Sequence, residues 1–220
     1  MKYPIVIAID GTSASGKSTN AKRVARALGY VYVDTGAMYR TLAWYCLQKR
    51  VDVQDAKAVA SLCRKWKTKL ECVDLEGLRV ARLLVENYFP EREIRTPETA
   101  AAVPHVAAVP QVRAWMKKTQ RECIQFGDLV MEGRDIGTNV FPETDYKFYL
   151  DATLAERTAR RTADGVNENL AARDQRDSQR AVAPLMIALG AKVINNSNLT
   201  SEETSRLLLE EIHRLMKSPR

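Results

Sequence analysis

Within Gly11-Thr12-Ser13-Ala14-Ser15-Gly16-Lys17-Ser18-Thr19, near the start of the chain, the first eight residues fit the spacing G-x-x-x-x-G-K-[ST]. Glycines at these positions let backbone N–H groups turn inward around phosphates, and a helix opening at the lysine adds its partial positive charge. Lys17 is then expected to reach the β- and γ-phosphates of a bound nucleotide, and the Ser18 hydroxyl to ligate Mg²⁺. Arginines form a second group: Arg40, Arg95, Arg113, Arg134, Arg157, Arg160, Arg161, Arg173, Arg176 and Arg180 fall near expected strand ends, breaks or basic helices. A planar guanidinium stays charged and binds phosphate oxygens bidentately, so it suits both holding an acceptor and neutralising charge in transfer. Only two histidines, His105 and His213, are present, which argues against triad hydrolysis and for a reaction needing little proton transfer.

The elements that would position these residues read as an α/β fold. Ile5 to Ile9 is a short, continuously apolar run, expected of a strand buried on both faces of a parallel sheet. The phosphate loop follows it, and Ala21, Val24, Ala25 and Leu28 carry a helix that ends at Gly29. Tyr30 to Val33 is a second strand, leading through Asp34-Thr35-Gly36 into a helix to about Gln48. Between about Val51 and Arg95 a helix from Asp55 to Lys65 and alternating stretches Lys69 to Val73 and Leu78 to Val85 predict a small β-containing insertion. Two helices follow, with breaks expected at Pro104 and Pro110. Strands are expected again at Leu129 to Met131, Tyr146 to Leu150 and Lys192 to Asn195. Helices are expected from Thr153 to Arg161, after a polar break at residues 163–167, and from a capping box at Thr200-Ser201-Glu202-Glu203.

Length and composition set bounds. The chain has 220 residues, 45% of them hydrophobic, enough for one compact domain with a sizeable insertion. A formal net charge of +7 points to anionic partners. No run of about 18 apolar residues is present, and the first residues lack a signal-peptide layout, so the expectation is a cytoplasmic protein without a membrane partner. Cys46, Cys63, Cys72 and Cys123 are scattered, which predicts neither a zinc site nor a disulfide framework.

Five ordered motifs resemble the bacterial cytidylate kinase family across nearly the whole chain. They are the phosphate loop, residues 33–40, Glu93-Ile94-Arg95-Thr96, residues 132–138 with Phe141-Pro142, and residues 173–185. The resemblance implies a doubly wound parallel sheet in one P-loop kinase domain, with a monophosphate-binding insertion over about residues 51–110 and a short helical lid over about 157–173. It implies transfer from ATP, with Mg²⁺, to CMP or dCMP by a monomer that takes small-molecule substrates and no nucleic acid. By the same resemblance Thr35, Arg40 and Arg134 face the monophosphate and its ribose, and Arg113, Asp135 and Arg180 read the cytosine. Arg173 and Asp177 would hold the sugar hydroxyls, and Arg157, Arg160 and Arg161 would belong to the lid over ATP. Lys17, Arg134, Arg160 and Arg173 would supply the catalytic charges.

The chain departs from the family pattern in places. Only eleven residues separate Arg161 from Arg173, Pro104 stands where a small hydroxyl residue usually contacts the base, and Thr12 and Ala14 replace the usual proline and glycine. Two other readings compete. In a kinase for small alcohols Asp34 would act as general base, though aspartate there also suits a helix N-cap. A nucleic-acid-binding P-loop protein is favoured only by the basic charge, and no aromatic-rich stripe supports it.

Overall fold

The computed structural model describes residues 3–163, 165 and 169–217. Strand β1, Val6–Gly11, is buried at every residue because its two faces meet two different cores. Val6 and Ala8 point into one apolar cluster and Ile7 and Ile9 into the other, as a period of two requires. Helix α1, Lys17–Leu28, follows the phosphate loop and ends at Gly29, whose φ of 69° is left-handed. Strand β2, Val31–Asp34, and helix α2, Thr35–Gln48, repeat the unit.

Helix α3, Ala56–Lys65, then leads to an antiparallel hairpin of β3, Thr68–Leu75, and β4, Leu78–Val85. The strands of the expected insertion therefore extend the central sheet: β4 pairs in parallel with β2 at Tyr32↔Val80 and Val33↔Ala81. After the hairpin come α4, Pro97–Ala108, and α5, Pro110–Glu122. The break expected at Pro110 is present, with Val109 ending one helix and preceding the next. The break expected at Pro104 is not, since α4 runs straight through it. A mid-helix proline costs about 3 kcal/mol; burial of Ala102, Val106 and Val109 in the core offsets it.

Strand β5, Leu129–Gly133, β6, Tyr146–Asp151, and β7, Lys192–Asn195, complete a seven-stranded sheet in the order β3-β4-β2-β5-β1-β6-β7. All neighbours are parallel except β3 and β4. Helices α2 to α5 cover one face, while α1 and α8, Ser201–Lys217, cover the other. The capping box before α8 is formed: Glu203 accepts from Thr200 N–H at 2.8 Å, and Thr200 Oγ1 accepts from Glu203 N–H at 3.1 Å. Helix α6, Leu154–Ala163, and helix α7, Leu170–Ser178, lie between β6 and β7. Of the expected polar break between them, residues 164, 166 and 167 lie outside the described residues. No helix among the described residues is long and apolar enough to cross a membrane.

Candidate active site

Because β1, β2, β5 and β6 run parallel, their C-terminal ends share one edge of the sheet, the edge where such folds place ligands. The phosphate loop leaves that edge at Gly11, where backbone packing is tight. A Cβ at Gly11 would lie 2.0 Å from the Leu150 carbonyl oxygen of β6, so no other residue fits. Gly16 has φ 83° and forms the N-cap of α1, turning the loop into the helix axis.

Lys17 is buried and folds over the loop, donating to the Thr12 carbonyl and, at 3.4 Å, to Ser15 Oγ. Burial lowers its pKa well below the usual lysine range, and the like charges of Arg134 and Arg173 push the same way against Glu132 and Asp10. An incoming anion counters both effects. Ser18 and Thr19 are exposed at the first turn of α1, near Glu132, a buried carboxylate that accepts from Tyr32 Oη.

Arginines of the next elements close on the loop from the other side. Arg157 of α6 is buried and donates to the Ser13 carbonyl at 3.1 Å and to the Ala152 carbonyl at 3.0 Å. It also pairs with Asp174 of α7, whose carboxylate accepts the Ser13 N–H at 3.0 Å. Arg157 is thus turned into the backbone of the loop. Arg160 donates to Asn196 Oδ1 at 3.1 Å and to the Asn196 carbonyl at 2.8 Å, and pairs with Glu156 at 3.0 Å. Asn196 in turn donates to the Ser15 carbonyl at 2.9 Å. Arg161 lies on α6, half-buried; Arg173 on α7 is near enough to Lys17 to act on its charge.

The residues the resemblance assigns to the acceptor meet beside this loop. Thr35 is buried and donates to the Glu132 carbonyl at 2.7 Å. Asp34 caps α2, accepting from Ala37 N–H at 2.8 Å, and pairs with Arg40 at 2.9 Å. Both roles are filled by one carboxylate held in place, which is the cap reading rather than a free base. Arg134 pairs with Asp177 at 2.9 Å, and Arg180 holds the other oxygen of the same carboxylate. These two guanidinium charges keep Asp177 below the usual carboxylate range against the opposing effect of burial. Deeper in, Arg113 and Asp135 form a buried pair at 2.6 Å, with Asn139 donating to the same Asp135 oxygen at 2.9 Å. Arg40 Nε and Arg113 Nε are buried donors with no protein acceptor among the described residues.

Four polar groups in this region were given no role by the sequence, although Glu132 and Asp174 lie within the motifs. Asp10, at the end of β1, accepts from Ile136 N–H at 2.9 Å and Gly137 N–H at 2.8 Å and so fixes the segment after Asp135. Burial raises its pKa to about 6. Glu132, Asp174 and Asn196 are the others. An Asp closing an apolar strand and an Asp beside a motif arginine are visible in the sequence, but their partners come from distant segments: residues 136 and 137 for Asp10, the phosphate loop and α6 for Asp174.

The cytidylate kinase family profile matches residues 7–214. A cytidylate kinase of Anoxybacillus flavithermus is 42% identical over 215 residues, covering 92% of this chain and 93% of that protein. One from Limosilactobacillus reuteri is 39% identical over 223 residues, 96% of this chain and 94% of its own. A bifunctional pantoate ligase/cytidylate kinase of Acaryochloris marina is 41% identical over 210 residues, so this chain spans only 40% of its length. The solved structure of TT1252 from Thermus thermophilus superposes with a TM-score of 0.50 at 20% identity, covering 99% of this chain and 100% of that one, and shares the fold. Motifs, sheet order and these relatives agree: the chain belongs to the cytidylate kinase family.

Proposed function

We propose that this protein transfers the γ-phosphoryl group of ATP to CMP or dCMP, giving ADP and CDP or dCDP. The observation that carries the reading is the placement of Lys17, at the phosphate loop, beside the Arg134–Asp177–Arg180 and Arg113–Asp135 groups on one edge of the sheet. Lys17 and the loop N–H groups hold the β- and γ-phosphates, with Arg160 aimed along the loop through Asn196. Arg134 and Arg40 meet the acceptor phosphate. Asp135 accepts from the cytosine amino group while Arg113 donates to the ring nitrogen and carbonyl, and the orphan Arg113 Nε supports a ligand acceptor there.

In the transfer an acceptor phosphate oxygen forms a bond to the γ-phosphorus as the bond to the β-bridging oxygen breaks, and ADP leaves with the electron pair. The attacking oxygen carries no proton, so positioning and charge neutralisation suffice. Ser18 presents an exposed hydroxyl, and no three Asp, Glu, His or Cys side chains converge on a metal site among the described residues. One hard oxygen donor fits Mg²⁺, which takes most of its ligands from phosphates and water. When bound it would neutralise charge on the β- and γ-phosphate oxygens.

The test is ADP release from ATP and Mg²⁺ with CMP, dCMP, UMP, AMP or GMP offered separately, beside a Lys17→Ala control. Turnover with CMP or dCMP that disappears in the control supports the reading. Folded protein that binds ATP and turns over no monophosphate overturns it.

A further inference from the structure

The net positive charge does not sit at the active site. There, Arg40, Arg113, Arg134, Arg157, Arg160 and Arg180 each face a carboxylate. Residues 49–69, by contrast, hold seven Lys and Arg against two Asp, so five of the chain's seven net charges fall in that stretch. Among the described residues only Lys49 of these cations has an ion pair, with Glu86 at 3.3 Å.

Lys65 ends α3, and Lys67 and Lys69 follow on alternate residues of extended chain entering β3. Alternation puts Lys67 and Lys69 on the outer face, while Trp66, between Lys65 and Lys67, is buried. The three lysines line a cavity of about 520 Å³, closed on one side by Tyr45 and the Glu86–Asn87 turn. Both central residues of that turn are left-handed, with φ 51° and 64°, although neither is glycine. A two-residue hairpin turn, closed here by the paired Val85 and Tyr88 backbone bonds, requires positive φ at both positions. Next along the chain, Tyr88 is 49% exposed and its ring lies 5.9 Å from that of Trp44. Lysines and rings far apart in sequence are thus brought to one surface. It lies four strands from β1, about 19 Å at the usual strand spacing, and so outside the phosphate loop.

We propose that this edge docks single-stranded nucleic acid, with Lys65, Lys67 and Lys69 on the phosphodiesters and a base stacked on Tyr88. Unpaired cations around a concavity with an exposed ring beside them are what such a strand needs. A membrane surface would instead be met by exposed apolar side chains among the lysines, and the cavity wall offers Asn87, Glu86 and Thr68. Lysine on an edge strand also discourages strand pairing, a role that gives no affinity for oligonucleotides.

The experiment is fluorescence anisotropy with labelled twelve-nucleotide RNA and DNA strands of mixed sequence, titrated between 50 and 200 mM salt, with CMP and ADP present to fill the active site. Three lysine contacts give a salt slope near −2, so affinity falls about twentyfold over that range. The K65Q/K67Q/K69Q variant loses that slope, and Tyr88→Ala weakens binding about tenfold with the slope unchanged. The triple variant keeps its thermal midpoint, since exposed lysines without an ion pair add little to stability. Binding of either strand chemistry with this pattern supports the proposal, and the two arms say which is preferred. It is overturned if the triple variant binds as the wild type does, if CMP and ADP abolish binding, if neither strand binds, or if phosphatidylserine vesicles bind and the strands do not.

Discussion

Replacing Asp174 by alanine tests whether α6 and α7 are riveted to the phosphate loop. The Asp174 carboxylate holds Ser13 N–H at 3.0 Å and pairs with Arg157, which is 7% exposed. Without it Arg157 keeps its bonds to the Ser13 and Ala152 carbonyls but loses its counter-charge. Breaking a buried pair from one side costs about 3–5 kcal/mol. The Asp174 side chain is 16% exposed, so the lower figure applies, about 3 kcal/mol. For a domain of this size that is a fall in Tm of about 6–12 °C. Thermal melts followed by circular dichroism, with urea midpoints at constant slope, measure it. The Arg157→Met/Asp174→Leu double variant should recover part of the loss, because no charge is then left buried. A drop under about 2 °C for Asp174→Ala, or a double variant worse than the two single losses together, would refute the reasoning.

Lys17→Ala should lower CMP-dependent ADP release by about 10³ or more while leaving Tm equal or higher, since a cation disfavoured by burial is removed; steady-state rates and melts read the two effects. Asp10 should make folding weaker as pH rises. Its folded pKa of about 6 exceeds the ordinary 3.8, so its contribution is complete below pH 3.8 and lost by pH 6, about 3 kcal/mol in all. Urea midpoints of wild type and Asp10→Asn from pH 4 to pH 7 should therefore diverge over that interval and run parallel above it. Asn196→Ala removes the side-chain link between Arg160 and the Ser15 carbonyl and should cut kcat about tenfold with the KM for CMP within about twofold, as initial-rate kinetics would show.

The phosphate loop and its flanking strand and helix were legible in the sequence because their requirements are local: Gly11 against Leu150, Gly16 at the turn, a buried strand before and a helix after. The capping box at Thr200 and the cap at Asp34 are local for the same reason. Pro104 misled because intrinsic helix preference is weaker than the packing of the face opposite it. The union of β4 with β2 was hidden, since a parallel pair joins segments far apart in sequence through a register that alternation alone does not fix. Asp174 and Asn196 were missed on similar grounds. Each satisfies a loop carbonyl or N–H from another element, and nothing near Asn196 in sequence marks it.

The distribution of sulfur turns the molecule into its own labelling reagent. All four thiols belong to the layer under α2 to α5, with Cys46, Cys63 and Cys123 inside it and Cys72 packed at its margin. Burial pushes Cys46 up to about 11 and Cys63 and Cys123 to about 12, so almost no thiolate is offered to alkylating agents or oxidants at neutral pH. Modification of Cys46, Cys63 and Cys123 must wait for that layer to open, and the layer of α1 and α8 contributes no thiol to the signal. A timed pulse of iodoacetamide, read by peptide mass, would clock the opening of one half of the protein independently of the other.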